Sequence, residues 1–268
     1  MNSQVVAGFG HLRVEIRDDV ATVTIDKPPA NTLDASLYAD LRNVLTNLED
    51  APVRVVVFAS AHESIFISGR NINEMADYVA TESEAGARVD SAQAMFNEVQ
   101  QFPKPTIGVI TGHAMGGGCE FALALDFRIM SRGRCRIGQP EVNLGIIPGG
   151  GGTQRLARLV GRAAATELLM LGRRLDADQA HAVGLVHRVG ESSSDANEIG
   201  AALAAELAAK PPLALAAAKR AIREGLDCSM DAGLAIERQE VIGLLLSADF
   251  GEGVSAFLEK RTPRFEGR

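Results

Sequence analysis

The sequence predicts an α/β protein with largely parallel strands, followed by a C-terminal region built only from helices. Apolar runs of strand length alternate with segments of helical periodicity as far as about residue 195. Beyond that residue every apolar pattern has helical spacing. The hydrophobic share of 46% in 268 residues is enough for a large packed core. We therefore predict a core over residues 1–195 and a helical region over residues 196–268.

The elements of the core follow from alternation, periodicity and capping signals. Residues 12–16 and 20–25 alternate apolar and polar side chains around a polar turn, which predicts a hairpin. Asp34 is a candidate N-cap for the helix that follows it. Residues 61–75 are predicted as a loop, and residues 81–88 as a polar surface segment outside any helix. The other predicted elements are strands at 53–59, 107–110, 127–131 and 183–189 and helices at 89–99, 153–160, 163–171 and 176–182.

The C-terminal region carries more apolar surface than a lone surface helix needs. Leu234, Val241, Leu244 and Leu245 all fall within one predicted helix. Such a face is typical of contact between subunits, so we expect oligomerisation through this region. The helices predicted here are 196–209, 213–223, 230–246 and 252–260.

Composition and charge disfavour several classes of protein. A net charge of −7 argues against a general nucleic-acid binder, which normally has a basic surface. The three cysteines are scattered without metal-ligand spacing, which is typical of reduced thiols in a cytoplasm. The N-terminus does not read as a signal peptide, and no apolar run reaches the roughly 18 residues of a membrane span. We therefore expect a cytoplasmic protein with no membrane segment.

One glycine-rich turn, within residues 107–126, organises the chemistry that the sequence suggests. An apolar, β-branched run enters it as a strand, and Gly116, Gly117 and Gly118 precede a segment of helical pattern. Glycines before a helix let a ligand approach the main chain closely, and the N–H groups of the first helical turn attract negative charge. Glu120 lies inside this turn. A carboxylate beside such amides suggests acid/base chemistry on a substrate that develops negative charge.

Glu120 and Glu141 are candidates for a pair of carboxylates, one taking and one giving a proton. For Glu141 alone, a solvated loop position after Pro140 is the simpler interpretation. For Glu120 that interpretation is less satisfactory, because burying an unpaired carboxylate is costly. A water shared by the two side chains would account for both.

Two groups of backbone amides, near Gly117 and near Gly69 and Arg70, are candidates for an oxyanion hole. Such a hole needs two donors directed at one developing charge, each worth roughly 3–4 kcal/mol of barrier. The alternative, in which the glycines only form tight turns, agrees equally well with the spacing.

The motifs do not support nucleotide binding, serine hydrolase chemistry or metal binding. Neither glycine cluster is followed by the Lys-Ser or Lys-Thr of a nucleotide-binding P-loop, and G-x-G-x-x-G is met only trivially within glycine runs. No G-x-S-x-G sequence of serine hydrolases occurs. No metal site is predicted, because no two of the histidines have ligand spacing: His11, His62, His113, His181 and His187.

Four strings within residues 112–265 are, in combination, far more specific than any single glycine run, and the resemblance that they carry extends over about residues 12–265. They are GHAMGGGCEFALALD (112–126), IGQPEVNLGIIPGGGGTQRLARLVG (137–161), DADQAHAVGLV (176–186) and SAFLEKRTPRF (255–265). Together they resemble the crotonase superfamily, and within it the enoyl-CoA hydratases.

This resemblance implies a crotonase-type spiral of ββα units with a helical C-terminal region, assembled as a homotrimer or a dimer of trimers. It implies that the amides of Gly117 and Arg70 form an oxyanion hole for a thioester, and that Glu120 and Glu141 are the catalytic glutamates. Coenzyme A then enters as part of the substrate, an acyl-CoA thioester, and no separate cofactor is expected. Lys260, from this subunit or a neighbouring one, is expected to meet a CoA phosphate. The substrate-binding residues implied are Lys27, Ala30, Ser68, Gly69, Asn71, Ile72, Gly116, Gly149 and Lys260.

The activity that the resemblance implies is reversible hydration of a 2-trans-enoyl-CoA to the 3-hydroxyacyl-CoA. In our hypothesis Glu141 gives a proton to the α-carbon and Glu120 activates the water. Double-bond isomerisation, which a single carboxylate can perform, is the nearest alternative. A non-catalytic acyl-CoA-binding subunit is a second alternative, against which the presence of both glutamates counts. An RNA-binding role would need a basic face, which the net charge disfavours.

Two departures from the family pattern bear on the pocket. Residues 68–71 read Ser-Gly-Arg-Asn, where the family usually has Ala-Gly-Ala-Asp. The amide of Arg70 still donates, because side-chain identity does not remove an N–H, but we expect its side chain to reshape the pocket mouth or to contact a charged group of the ligand. The interval from Glu120 to Glu141 is one residue longer than in typical hydratases, and we place the extra residue in the turn at 131–134.

Overall fold

The computed structural model describes residues 4–70 and 81–268, and it confirms the predicted α/β class. The strands form two sheets, and helices cover them. The strands are β1 (Gln4–Phe9), β2 (Leu12–Arg17), β3 (Val20–Ile25), β4 (Val55–Ser60), β5 (Ile65–Ile67), β6 (Thr106–Ile110), β7 (His113–Met115), β8 (Phe127–Ser131), β9 (Ile137–Gly138), β10 (Arg174–Leu175) and β11 (Arg188–Gly190). The helices are α1 (Ala35–Asp50), α2 (Glu82–Gln101), α3 (Gly117–Ala124), α4 (Gly152–Met170), α5 (Ala177–Ala182), α6 (Ser193–Ala208), α7 (Pro212–Gly225), α8 (Met230–Leu245) and α9 (Ala248–Glu259), with a 3-10 helix at Glu141–Leu144.

The larger sheet has the strand order β1-β2-β3-β4-β6-β8-β11. The first three strands pair antiparallel, and from β3 onward every neighbouring pair is parallel. The predicted hairpin is β2 and β3, paired from Leu12 opposite Ile25 to Arg17 opposite Val20. β1 is an additional strand, and its sequence QVVAGF lacks the regular alternation that marks the next two.

The smaller sheet has the order β10-β9-β7-β5 and is built from a repeated unit. β4, β6 and β8 lie in the larger sheet, and the strand after each of them lies in the smaller one. α3 follows β7, and α4 follows β9 and its connecting 3-10 helix. This is the crotonase-type spiral of ββα units that the resemblance implied. Because β5, β7 and β9 run parallel, their C-terminal ends lie along one edge of the small sheet.

Alternation along β4 lets one strand contribute to two cores. Val56 is fully buried in the main core, and Val55 is fully buried on the opposite face of the sheet. On that opposite face the small and apolar residues of α6 cover the sheet. The division of the chain after residue 195 stays a prediction, and it falls within α6.

The expectation that residues 81–88 lie outside any helix is wrong. α2 begins at Glu82, directly after an N-cap at Thr81. Thr81 Oγ1 accepts a hydrogen bond from the Glu84 amide at 3.3 Å, and the Glu84 carboxylate accepts one from the Thr81 amide at 3.0 Å. This capping box starts the helix, although its first turns are exposed and therefore carry no apolar periodicity. The signal in the sequence is a threonine followed three residues later by a glutamate.

Smaller differences concern short or interrupted elements. β5 lies inside the predicted loop at 61–75, and β7, β9 and β10 have only two or three residues, too few for a periodic signal. The two helices predicted at 153–160 and 163–171 are the two parts of α4, which is interrupted by Gly161 at a φ of 79°. The strand predicted at 183–189 is limited to β11, because residues 183–187 form a turn that leads into it.

The C-terminal helices leave apolar side chains uncovered in the single chain. α8 has no buried side chain along its 16 residues. Leu246 is 85% exposed and Phe257 is 82% exposed. Within the described ranges, no single helix is both long and apolar enough to cross a membrane, and two bent pairs, α6 with α7 and α8 with α9, meet the length and composition only when taken together.

Candidate active site

Three parallel strands of the small sheet bring the predicted site together. β5 leads into Ser68, Gly69 and Arg70, β7 leads into Gly116 and α3, and β9 leads towards Glu141. Since parallel strands end at the same edge, these three segments become neighbours although they are far apart in sequence. The amides, Glu120 and Glu141 that the sequence singled out therefore meet at one place.

Gly69 allows the two amide-bearing segments to approach each other closely. Its φ is 87°, a left-handed conformation that favours glycine. A Cβ at this position would lie 2.8 Å from the Met115 carbonyl oxygen and 3.2 Å from the Gly117 nitrogen. The Gly69 carbonyl also accepts a hydrogen bond from Leu33 N at 2.8 Å, which fixes the turn. A side chain here would push the two segments apart.

The start of α3 presents amide groups that the helix itself does not use. Gly116 precedes the helix with a φ of 53°, and no side chain caps it. The first hydrogen bond of the helix runs from Glu120 N to the Gly116 carbonyl at 2.9 Å. The Gly117 amide lies in the first turn, where backbone N–H groups have no intrahelical acceptor. It is thus available to a ligand atom with negative charge.

Glu120 is buried, with an exposed fraction of 5%, and two backbone amides satisfy its charge. Its Oε1 accepts hydrogen bonds from Gly150 N at 2.7 Å and from Gly152 N at 2.8 Å, at the N-terminus of α4. Burial raises the pKa of Glu120, and these two amides partly offset the rise. The backbone of the glycine run at residues 149–152 thus forms a cradle for this carboxylate.

Arg155 holds the Gly150 segment of this cradle in position. It donates from Nη1 to the Gly150 carbonyl at 2.7 Å and from Nε to Gln100 Oε1 at 2.8 Å. Its positive charge also favours the ionised form of Glu120. The sequence analysis missed this residue, which follows the glycine run at a helical position without any motif of its own.

Glu141 has a different environment from Glu120. It is half-buried at the start of the 3-10 helix, and a Cβ on Gly116 would lie 2.7 Å from its Oε1. Its carboxylate therefore lies directly beside the N-terminus of α3. Burial, together with the negative charge of Glu120, raises the pKa of Glu141 to about 7. At neutral pH this group exchanges a proton readily.

Gln139 is a second residue that the sequence analysis missed. With its amide nitrogen turned towards Glu141, that nitrogen lies 3.1 Å and 3.3 Å from the two carboxylate oxygens. Gln139 is 1% exposed, so its side chain is held in place by the surrounding structure. The one indication of its role in the sequence is its position two residues before Glu141, in the string IGQPE.

A cavity of about 960 Å³ lies over these groups. Both glutamates and the residues that carry the two amides contribute to its wall. Most of the rest is formed by Tyr38 from α1, by Val89, Ala92 and Gln93 from α2, by Leu144 at the end of the 3-10 helix, and by Ile146 and Ile147 beyond it. The predicted site residues on its wall are Glu120, Glu141, Gly117, Arg70, Ser68, Gly69, Gly116 and Gly149. The Ser68 hydroxyl is buried and makes no hydrogen bond to the described part of the chain.

Three other predicted ligand contacts, Lys27, Ala30 and Lys260, do not line this cavity. Lys27 is buried, donates from Nζ to the Thr32 carbonyl at 3.0 Å and pairs with Asp34. Ala30 accepts a hydrogen bond from Ser68 N at 3.3 Å, so it supports the cavity wall from outside. Lys260 caps the C-terminus of α9. Asn71 and Ile72 lie outside the described residues. Over 4–70 and 81–268, no group of three or more His, Cys, Asp or Glu side chains could hold a metal ion.

Comparison with known proteins identifies the family. A family model described as Enoyl-CoA hydratase/isomerase matches residues 15–268. The 2,3-dehydroadipyl-CoA hydratase of Escherichia coli K12 is 39% identical over 262 residues, which are 97% of this chain and 100% of the relative. The short-chain-enoyl-CoA hydratase of Clostridium acetobutylicum is 36% identical over 250 residues, 92% of this chain and 94% of the relative.

Solved structures agree with these sequence matches. A crystal structure of an enoyl-CoA hydratase from Bacillus anthracis is 36% identical and superposes with a TM-score of 0.88 over 100% of both chains. One from Polaromonas sp. JS666 is 30% identical with a TM-score of 0.88, over 95% of this chain and 99% of that one. The chain belongs to the enoyl-CoA hydratase/isomerase family.

The contact of Gln139 with Glu141 gives a testable prediction. Replacing Gln139 by leucine removes two N–H donors that favour the ionised carboxylate, so the pKa of Glu141 should move further upwards. Titration of ¹³C-labelled glutamate side chains by NMR measures this directly, with Glu141→Gln to assign the signal.

Gln154→Leu is the matched control, because Gln154 lines the same cavity without contacting Glu141. It should leave the Glu141 titration where it is in the wild type. A Glu141 signal that titrates at the ordinary glutamate pKa, or that is indifferent to Gln139→Leu, contradicts the geometry.

Proposed function

We propose that this protein is an enoyl-CoA hydratase, which adds water to a 2-trans-enoyl-CoA to give a 3-hydroxyacyl-CoA. The proposal rests on one observation above all: two differently held carboxylates share a cavity with two backbone amides at the ends of β5 and β7. The hydratase activities for which the relatives are named support the same reaction class. The coenzyme A moiety belongs to the substrate, and we propose no other cofactor and no metal.

The amides of Gly117 and Arg70 are proposed to bind the thioester carbonyl oxygen. As water adds to the β-carbon, electrons move towards this oxygen, and an enolate-like charge develops there. Donors fixed in advance stabilise such a charge without reorganising, and each contributes roughly 3–4 kcal/mol to lowering the barrier. Positions Gly69 and Gly116, where the backbone is left-handed, hold the two donors together.

The two glutamates are proposed to divide the proton transfers. Burial raises the pKa of Glu120, but Gly150 N, Gly152 N and nearby arginines favour its ionised form, so it suits the role of base towards water. Glu141, with a pKa of about 7, carries a proton at neutral pH in a large part of the molecules and suits the role of donor to the α-carbon. The hydroxyl forms a bond with the β-carbon, the water proton goes to Glu120, and the Glu141 proton goes to the α-carbon. Proton exchange then restores both groups.

The first test is hydration of crotonyl-CoA, followed by loss of the absorbance of the conjugated thioester. Wild-type protein should turn over, and Glu120→Gln and Glu141→Gln should each lower kcat by about 10²–10⁴-fold, the range expected for loss of a general acid or base. Glu63→Gln is the control, because Glu63 is exposed and does not line the cavity; it should retain wild-type activity.

Mass spectrometry of the product separates the alternatives. A product heavier than the substrate by one water establishes hydration, and a product of unchanged mass with a shifted double bond establishes isomerisation instead. Binding of CoA esters with no turnover of either kind would leave a non-catalytic binding subunit and overturn the proposal.

We also propose that the protein assembles as a homotrimer or a dimer of trimers, in the cytoplasm, and binds neither nucleic acid nor membrane. The assembly proposal is supported by α8, which buries no side chain within its own chain, and by the exposed apolar residues at its end and on α9. Apolar surface of this extent is typical of an interface between subunits.

Charges introduced on this face should dissociate the assembly. In the double variant Leu246→Glu and Phe257→Glu, two carboxylates would have to be buried unpaired at the interface, which costs several kcal/mol. Light scattering coupled to gel filtration should give a trimer or hexamer for the wild type and a monomer for the variant. Gln239→Glu, on an exposed polar position of α8, should keep the wild-type mass. A monomeric wild type would refute the assembly.

A further inference from the structure

Arg70 contributes two separate groups to the same cavity. Its backbone amide is one of the two proposed oxyanion donors, and its half-buried side chain lines the cavity wall. The amide needs no particular side chain, so the guanidinium calls for an explanation of its own. Within the proposed hydration reaction it has no role in polarising the carbonyl or in moving a proton.

The guanidinium lies between α1 and α2, on the side of the cavity next to the glutamates. It donates from Nη2 to the Arg88 carbonyl of α2 at 3.0 Å. Tyr38 and Glu120 lie near enough for its positive charge to favour the ionised form of each. Tyr38 is itself fixed, with its ring perpendicular to Phe96 at a centroid distance of 6.1 Å. The positive charge therefore has a defined position close to the reacting groups.

The charge of Arg70 is not neutralised by an ion pair within residues 4–70 and 81–268, where no carboxylate lies within salt-bridge distance of it. Glu120, the acid whose pKa it affects, is already bound by the amides of Gly150 and Gly152. A guanidinium has five N–H donors, more than the bond to the Arg88 carbonyl uses. The neighbouring wall is apolar at Val89 and Ala92, and the guanidinium hydrogen bonds at an exposed part of this wall, where a ligand can pair with its charge.

We propose that Arg70 selects enoyl-CoA substrates whose acyl chain ends in a carboxylate. The proposal rests on the proposed hydratase function and adds the substrate class. A carboxylate accepts two parallel hydrogen bonds from a guanidinium, an arrangement that lysine or a neutral donor does not reproduce. The acyl carboxylate would supply a counter-charge that no residue of 4–70 or 81–268 provides.

The position of Arg70 also limits the length of the acyl chain. Its amide holds the thioester oxygen, and its guanidinium lies at the other end of the same side chain. A terminal carboxylate that meets the guanidinium is therefore separated from the thioester by about the length of an arginine side chain. This favours short, unbranched dicarboxylic chains over long ones.

A second possible source of negative charge is the coenzyme A moiety, whose phosphates are common to every substrate. The acyl carboxylate is favoured because Arg70 lines the same cavity as Glu120, the group proposed to act at the reacting carbon atoms. The two sources make different predictions: a phosphate contact affects all CoA esters equally, whereas a carboxylate contact affects only esters that carry the carboxylate.

The test compares two esters of equal chain length, 2-hexenedioyl-CoA and 2-hexenoyl-CoA, by the ratio of their kcat/KM values. Wild type should prefer the dicarboxylic ester. Arg70→Ala should lower the ratio by about 30-fold or more, the loss expected for a charge-assisted bidentate contact, and Arg70→Lys should restore only part of it. Any effect of Arg70→Ala on the oxyanion amide is common to both esters and cancels in the ratio.

Arg174→Ala is the matched control, because Arg174 is an exposed arginine on the same cavity; it should change the ratio by less than about threefold. An equal loss for both esters in Arg70→Ala overturns the inference and assigns the guanidinium to the CoA phosphates or to Glu120. A wild type that prefers 2-hexenoyl-CoA overturns it as well.

Binding of the saturated esters adipyl-CoA and hexanoyl-CoA, measured by calorimetry, separates this inference from the hydratase proposal. Tighter binding of adipyl-CoA that is lost in Arg70→Ala supports the carboxylate site even if neither enoyl ester is hydrated, in which case only the hydratase proposal fails. If both enoyl esters are hydrated but their saturated analogues show no Arg70-dependent difference in binding, the hydratase proposal stands and the carboxylate site is overturned.

Discussion

The candidate site depends on one structural constraint, the common direction of β5, β7 and β9 in the small sheet. Parallel strands end at the same edge, so the segments that follow them must lie side by side. Those segments carry the Arg70 amide, the Gly117 amide with Glu120, and Glu141 in turn. Each ββα unit places its functional group at this edge while its other strand builds the larger sheet. The repeated unit therefore builds the core and assembles the site at the same time.

The close approach of these segments is made possible by glycine, and it determines the electrostatics. At Gly69 a Cβ would collide with the Met115 carbonyl, and at Gly150 it would come within 2.8 Å of Glu120. With side chains absent, backbone amides reach the ligand site and the buried Glu120 directly. The same crowding places Glu141 near the charge of Glu120 and raises its pKa to about 7. Burial raises the pKa of both glutamates, and at Glu120 two backbone amides and nearby arginines offset part of the rise, so two chemically identical side chains have different surroundings for proton donation and proton removal.

Much of the fold and part of the site could be predicted from the sequence. The hairpin, the Asp34 cap and the change to an all-helical tail follow from local periodicity and capping, and Glu120 with Gly117 follows from one glycine turn. The start of α2 at Glu82 was missed because its exposed first turns have no apolar face. Gln139 and Arg155 were missed for a different reason. Each acts through a partner brought near by the tertiary fold, Glu141 in one case and Gly150 in the other, and neither contact leaves a local pattern.

The central claim is that the ends of β5 and β7 polarise a thioester carbonyl. Infrared spectroscopy of butyryl-CoA labelled with ¹³C at the thioester carbonyl measures this directly, because a saturated ester binds without reacting. Two fixed N–H donors lengthen the C=O bond, so the account predicts a stretching frequency in the complex below that of the free ester in water. A bound ester whose carbonyl frequency equals or exceeds its value in water would show that the two amides do not act on the thioester, and would contradict the account.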